Sequence, residues 1–174
     1  MDWAAIGAVS EVIAAVAVVV SLVYLATQIR QATKIAKATT RNAIAESAQA
    51  LSQDVIDNAD MAEIFVKHLN GEELNAVEML RMQGRCYRDM RHWENIYYQV
   101  REGLLTEEEW SGFRKNLVAL FEIGAYREYW ASESNLYSDS FREQIDSLLE
   151  QTSEDTEGVR FAERFKNSPE GKTQ

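Results

Sequence analysis

Residues 3–28, WAAIGAVSEVIAAVAVVVSLVYLATQ, are almost uninterruptedly apolar and contain one ionisable group, Glu11. No other stretch restricts the fold as strongly. A bilayer-crossing helix needs about 20 apolar residues at ~1.5 Å of rise each. Trp3 and Tyr24 bracket such a stretch at a separation of ~31 Å on that rise. Both are amphipathic aromatics of the kind that settle at membrane–water interfaces. A secretory signal peptide would begin with a basic region and have a shorter apolar run. Met1-Asp2 carries no base, so no cleavage is expected. A soluble fold of this size rarely encloses so long a helix that is apolar on every side. A membrane span is therefore the expectation, and the polarity of everything after Arg30 is that of a water-soluble helical protein.

The flanks give an orientation. Arg30, Lys34, Lys37 and Arg41 follow the span with no acid before Glu46, and only Asp2 and the terminal amine precede it. The positive-inside rule puts the basic side in the cytoplasm and the N-terminus outside it. Spacings of 4, 3 and 4 place the four bases on one helical face. That stripe either meets anionic lipid headgroups or stands solvated, and setting topology alone suffices to account for it.

Glu11 lies eight residues past Trp3, ~12 Å into the span. A charge at mid-bilayer costs roughly 2.5–3.5 kcal/mol on insertion scales. Its helical neighbours are Gly7, Ala8, Ala14, Ala15, Val18 and Ser21. A small-residue face with one polar group is the pattern of a helix–helix interface in lipid. With one span per chain, the simplest partner is a second copy. Two readings follow: a protonated Glu11 acting as hydrogen-bonding glue, which is favoured, or a ring of carboxylates lining or gating an ion or proton path.

Beyond the span the composition favours helix throughout. One proline and eight glycines in 174 residues leave few breakers. The expected fold is all-α, with a transmembrane helix over residues 1–28 continuing into a stalk helix over 29–58. A cytoplasmic helical bundle follows over 59–150, then a polar, partly disordered tail over 151–174 that contains Phe161 and Phe165. The stalk carries a near-heptad of Leu25, Ile29, Ala32, Ala36, Ala43 and Ala50, suited to weak coiled-coil contact. A second stripe, Ile44, Ala48, Leu51 and Val55, suits burial against the bundle.

In the bundle, Asp57-Asn58-Ala59-Asp60 reads as a turn before a short helix over 61–69 that Asn70-Gly71 closes. Asn75-x-x-Glu78 and Thr106-x-x-Glu109 are capping boxes. The first opens a helix whose stripe of Met79, Met82, Cys86, Met90, Trp93, Tyr97, Val100 and Leu104 ends near Gly103. The second opens one that buries Trp110, Phe113, Leu117, Leu120 and Phe121 and stops about Gly124. A short helix over 125–131 with Tyr126, Tyr129 and Trp130 plugs the bundle. A last helix, capped by Ser140-x-x-Glu143, buries Phe141, Ile145, Leu148 and Leu149.

Charge excludes one class of partner. Up to residue 58, Asp2, Glu11, Glu46, Asp54 and Asp57 face four bases, net −1, which leaves −9 of the formal −10 to the rest. Nucleic-acid binding needs a positive footprint, so none is expected. Chemistry is equally sparse. Phosphate-binding glycine loops and a nucleophile elbow are missing from the sequence. Asp89-x-x-His92 is half of one helical metal motif, where a di-iron bundle needs two such motifs and two further glutamates. Cys86, the only cysteine, sits on the apolar stripe as a core thiol. Arg81, Arg85, Arg88 and His92 form a stripe that either receives an anionic partner or lipid, or is solvated or pairs with acids on neighbouring helices. The cluster Glu94-Asn95-x-Tyr97-Tyr98-Gln99 suits a polar network pinning its helix, with a ligand site as the alternative. No metal, cofactor or catalytic residue is expected.

The span ending in Ser-Leu-Val-Tyr-Leu-Ala-Thr-Gln-Ile-Arg-Gln, Met61-Ala62-Glu63-Ile64, Glu94-Asn95-x-Tyr97-Tyr98-Gln99, Gly103-Leu104-Leu105 with Trp110, and Tyr129-Trp130 come in a distinctive order. In that order they resemble a widespread family of uncharacterised bacterial proteins with one N-terminal transmembrane helix and a helical cytoplasmic part. The likeness covers roughly residues 3–150 and leaves out Glu11. It implies a single-pass protein of the bacterial inner membrane and no particular activity. The expected function is a membrane-anchored, self-associating scaffold, not an enzyme, with a homo-oligomeric channel as the alternative. Its expected partners are itself, membrane lipids, and a membrane or cytoplasmic protein.

Overall fold

A computed structural model describes residues 3–154 of the chain; Met1, Asp2 and the residues beyond Glu154 lie outside it, and with them most of the expected polar tail, including Phe161 and Phe165. The described residues form six α-helices and no strand. They are α1 (Trp3–Asp57), α2 (Ala59–Leu69), α3 (Ala76–Arg101), α4 (Glu107–Phe121), α5 (Gly124–Glu133) and α6 (Asp139–Glu154), with one 3-10 turn at Ser134–Leu136. The chain divides into two compact units at Asn42/Ala43.

The first unit is the helix over residues 3–42, and its sequence is consistent with α-structure despite several β-branched residues. Val and Ile lose side-chain freedom in a helix, but a backbone crossing a bilayer would have to satisfy its hydrogen bonds internally, as this helix does. The hydroxyls follow the same rule. Ser10 donates to the Ile6 carbonyl (2.9 Å), Ser21 to that of Ala17 (2.8 Å) and Thr27 to that of Tyr24 (2.7 Å). No residue in the most apolar 18-residue window is buried, and the helix is long and apolar enough to cross a membrane. Surface of this kind fits a lipid-facing span.

The second unit begins inside the expected stalk, so residues 43–57 of α1 belong with the bundle. Ile44 is buried with Ile96, Leu105 and Trp110 in a small core of its own. Leu51 and Val55 are half-buried, but Ala48 is exposed, and Ser47 and Asp54 take the inward positions between them. The helix ends where Asn58 turns to extended backbone and caps α2, its side chain accepting from the Met61 amide (3.3 Å). That cap starts α2 at Ala59, two residues earlier than its apolar pattern suggests.

The main core gathers Met61 and Ile64 of α2, Met82, Cys86 and Met90 of α3, and Leu117 and Phe121 of α4. Tyr126 and Trp130 of α5 and Phe141 and Ile145 of α6 complete it. Trp130 is a hub, with ring centroids 6.2 Å from Phe121, 5.3 Å from Tyr137 and 5.9 Å from Phe141. Its indole N–H donates to Asp146 (2.9 Å), the partner a buried tryptophan needs.

Both capping boxes form as their spacing predicts. Two helices end on left-handed glycines, Gly71 (φ 74) and Gly103 (φ 69). Each makes the paired 6→1 and 5→2 bonds of a Schellman motif: Glu72 to Lys67 and Gly71 to His68, Leu104 to Gln99 and Gly103 to Val100.

Three local expectations shift. Met79 stands at the exposed edge of its stripe. Helix α4 stops at Phe121, because Ile123 turns inward on extended backbone (ψ 114) and is buried. Gly124 opens α5 instead of closing α4; a Cβ there would lie 3.3 Å from His68 Nε2, so its smallness lets α5 approach α2. Finally, α6 starts at Asp139, within the expected 138–140, but its cap differs: the Ser138 carbonyl accepts from Phe141 and Arg142, and Ser140, expected as the cap, lies in the first turn and accepts from Arg101 (2.9 Å).

Glycine substitutions should separate these backbone effects by sign. At Gly103 nothing crowds a new Cβ, so Gly103→Ala should cost about 1–2 kcal/mol from the left-handed backbone alone. Gly84, mid-α3 and equally open, should become about 0.5–1 kcal/mol more stable as alanine. Urea unfolding followed by tryptophan fluorescence reads both; equal signs would contradict the assignment.

Candidate functional site

Two places stand out for their ionisable groups: the centre of the bundle and the apolar helix. In the bundle the centre is Asp89, 3% exposed. It lies seven residues after Met82 and three after Cys86, which puts it on the buried side of α3. Arg85, one turn earlier, donates through Nε to both of its oxygens (2.9 and 2.7 Å). The buried Tyr126 hydroxyl of α5 donates to Oδ2 at 2.5 Å. The network extends to Asp54 near the end of α1, which accepts from Arg85 (3.4 Å) and Arg88 (2.6 Å). Burial works against the Arg85 charge, but Asp89, Tyr126 and Asp54 outweigh it and hold the guanidinium above its ordinary value. Burial and the adjacent Asp89 raise the Tyr126 phenol well above its usual range, so it remains a donor.

The basic stripe of α3 is thus met from within the chain. Arg81 pairs with Asp60 of α2 (3.1 Å), Arg85 with Asp89 and Asp54, and Arg88 with Asp54. His92 Nδ1 lies 2.8 Å from the Ser47 hydroxyl. The three arginines of this stripe are paired with acids of the chain itself. Asp89 and His92 do not converge as metal ligands: one faces Arg85 and Tyr126, the other Ser47. Among the described residues no cluster of three or more His, Cys, Asp or Glu could hold a metal. Burial pushes the Cys86 thiol up to about 12, with Asp89 adding to it, so the thiolate a nucleophile requires does not form near neutrality.

The Glu94 cluster is split. Glu94 is buried and accepts from Arg91 (2.6 Å) and from the amide of Ser138 (3.0 Å), the residue just before α6. Arg91 also donates to the Leu136 carbonyl (2.9 Å) and stacks 4.5 Å from the Tyr137 ring. Tyr97 packs against Phe141 and Trp110, whereas Asn95 and Tyr98 are exposed. This is a pin between α3 and α6. It was half legible in sequence: the polar density was visible, its partner 44 residues away was not.

The apolar helix is the contrasting case. Gly7, Ala8, Glu11, Ala14, Ala15, Val18 and Ser21 share one side of it, spanning roughly 140° on a helix of 100° per residue. Glu11 has no hydrogen-bond or ionic partner among the described residues, and every described side chain on this side is exposed. A Cβ on Gly7 would meet nothing within 4 Å. A mid-helix glycine costs about 1 kcal/mol relative to alanine, and nothing around Gly7 requires it. Arg30 and Lys34 are exposed beyond the apolar run, followed on the same face by Lys37 and Arg41.

Two predictions follow from the bundle. Asp89→Asn leaves the half-buried Arg85 charge with only the longer Asp54 pair and should lower stability by about 3–5 kcal/mol, whereas Tyr126→Phe should cost about 1–3 kcal/mol. A joint Arg85→Met, Asp89→Leu replacement should recover much of the first loss in urea unfolding. For His92, burial lowers the pKa below 6.5, partly opposed by Asp89. The unfolded chain then binds the proton better. Its contribution to stability is complete above pH 6.5 and is lost as pH falls through the lower folded value. Unfolding free energies of His92→Gln and wild type should converge as the pH is lowered; parallel curves would rule this out.

Neither a family model, nor a curated protein, nor a solved structure matches the chain; its function is read from the residues themselves.

Proposed function

We propose that the protein is a membrane-anchored helical scaffold that self-associates through the Glu11 face of its N-terminal span. The soluble bundle is then held at the cytoplasmic surface of a bacterial inner membrane, as its resemblance to single-pass bacterial proteins suggests, for contact with a membrane or cytoplasmic protein. One observation carries the reading: Glu11 is an exposed, unpartnered carboxyl on an apolar helix, beside a glycine that its own chain does not require. A second copy satisfies both. Its helix accepts the close approach that Gly7, Ala8, Ala14 and Ala15 permit, and its Glu11 supplies a hydrogen bond that lipid lacks. Arg30, Lys34, Lys37 and Arg41 favour the cytoplasmic side and contact with anionic headgroups. The two buried carboxylates of the bundle, Asp89 and Glu94, are both taken up by contacts between helices, which supports a non-enzymatic role. The channel alternative draws on the same carboxyls, if several spans form a ring.

In phosphatidylcholine–phosphatidylglycerol nanodiscs, native mass spectrometry should find oligomers. Glu11→Ala should weaken them by roughly 0.6–2 kcal/mol per helix pair, ~3- to 30-fold in dissociation constant. Gly7→Leu should abolish them, and Val16→Leu on the opposite side should change nothing. A monomeric wild type would end the proposal. A ring whose proton flux in liposomes falls on Glu11→Gln would favour the channel. For topology, Lys115→Cys at an exposed site should react with an impermeant maleimide only after cells are opened.

A further inference from the structure

A groove of about 470 Å³ opens among α2, α3 and α5. Met79, Met82 and Cys86 give it a soft apolar lining, and methionine adapts readily to the shape of an occupant. Glu72, from the α2–α3 turn, and Glu128, from α5, add carboxylates from two different elements, and His68 completes this polar margin. An occupant of matching chemistry would carry large apolar side chains flanked by positive charge.

The chain itself contains such a segment outside the described residues. Residues 159–166 read VRFAERFK, with Arg160, Arg164 and Lys166 against Glu163, a basic island in a chain of net charge −10. Phe161 and Phe165 are four residues apart, as are Arg160 and Arg164. On helical spacing these pairs make an apolar ridge beside a basic one. The tether is comparable to the dimensions of the bundle. Phe161 comes seven residues after Glu154, ~24 Å of extended chain. A bundle of about 100 residues has a radius of gyration of ~13 Å. Helix α6, which leads to this segment, shares its core cluster with the groove, since Leu148 belongs with Met82 and Cys86.

We propose that residues 159–166 dock in the groove of their own chain, with Phe161 and Phe165 against Met79 and Met82 and the arginines toward Glu72 and Glu128. The segment then acts as a built-in occupant that any external partner of the groove must displace. A membrane surface is the competing destination for a basic, aromatic segment. Two aromatic anchors with a net charge of +2 make only a weak membrane signal, because stable anchoring takes two strong ones.

The test uses the full chain in phosphatidylcholine–phosphatidylglycerol nanodiscs, with Phe161 replaced by p-benzoylphenylalanine, whose excited ketone inserts preferentially into methionine C–H bonds. Irradiation should join it to Met79 or Met82 within one chain, identified by peptide mass. Glu72→Lys with Glu128→Lys should lower that yield several-fold, and adding Arg160→Glu with Arg164→Glu should restore it. Both glutamates lie at the surface, so these variants should fold. An adduct to lipid, a link to a second copy, no adduct, or a yield indifferent to charge reversal would each overturn the proposal.

Discussion

The bundle depends on a carboxylate that has left water. Asp89 is tolerable at the centre only because the Arg85 Nε–H is shared between its two oxygens and the Tyr126 hydroxyl donates as well. Such a buried pair adds little net stability over apolar residues of the same shape, since desolvation offsets its Coulombic gain. What it adds is a penalty for misalignment. Sliding α5 by one turn would remove the phenol, and withdrawing residues 43–57 of α1 would remove Asp54 from Arg85 and Arg88. Apolar stripes on three helices admit neighbouring registers, whereas a carboxylate with two fixed donors does not. The polar centre therefore selects one packing among several that hydrophobic burial alone would accept.

The helix ends divide the remaining work. Glu78 closes the Asn75 capping box and also binds Lys67 of α2 at 2.5 Å. That pair lowers the Glu78 carboxyl and raises the Lys67 ammonium. One residue thereby terminates a helix and fixes its neighbour. Glu94 does the same at the start of α6 through the Ser138 amide. Each acid sits by an amino-terminal turn, where the helix dipole favours negative charge.

These devices explain which parts of the fold were legible in sequence. The capping boxes at Asn75 and Thr106 act over three residues, and the apolar stripes repeat every turn, so local spacing revealed both. The exit from α4 was not legible, because the break before Gly124 depends on Ile123 finding the core and on His68 lying 3.3 Å from where a Cβ would stand. Nor was the role of Arg85, whose spacing to Arg81, Arg88 and His92 suggested an outward stripe. The clue was present: a carboxylate one turn later, in phase with Met82 and Cys86. Reading it required Tyr126 and Asp54, which lie 37 and 35 positions from Asp89. Local pattern identifies a helix and its ends; only the partner tells whether a charge on it faces water or the core.

The same rule separates the two carboxyls that most constrain this molecule. Asp89 is surrounded by protein and finds its donors within the chain. Glu11 is surrounded by apolar side chains of its own helix and finds none among the described residues, while the nearby hydroxyls of Ser10 and Ser21 are already turned back to their own backbone. In a bilayer such a group can take up a proton, reach for the headgroups or meet another polar group. At ~12 Å from Trp3 a glutamate is too short to reach the interface, and protonation alone still leaves a hydroxyl donor and a carbonyl acceptor in hydrocarbon. A second helix is the remaining source of partners, and the small residues on either side of Glu11 are what would let its backbone come close enough to provide them.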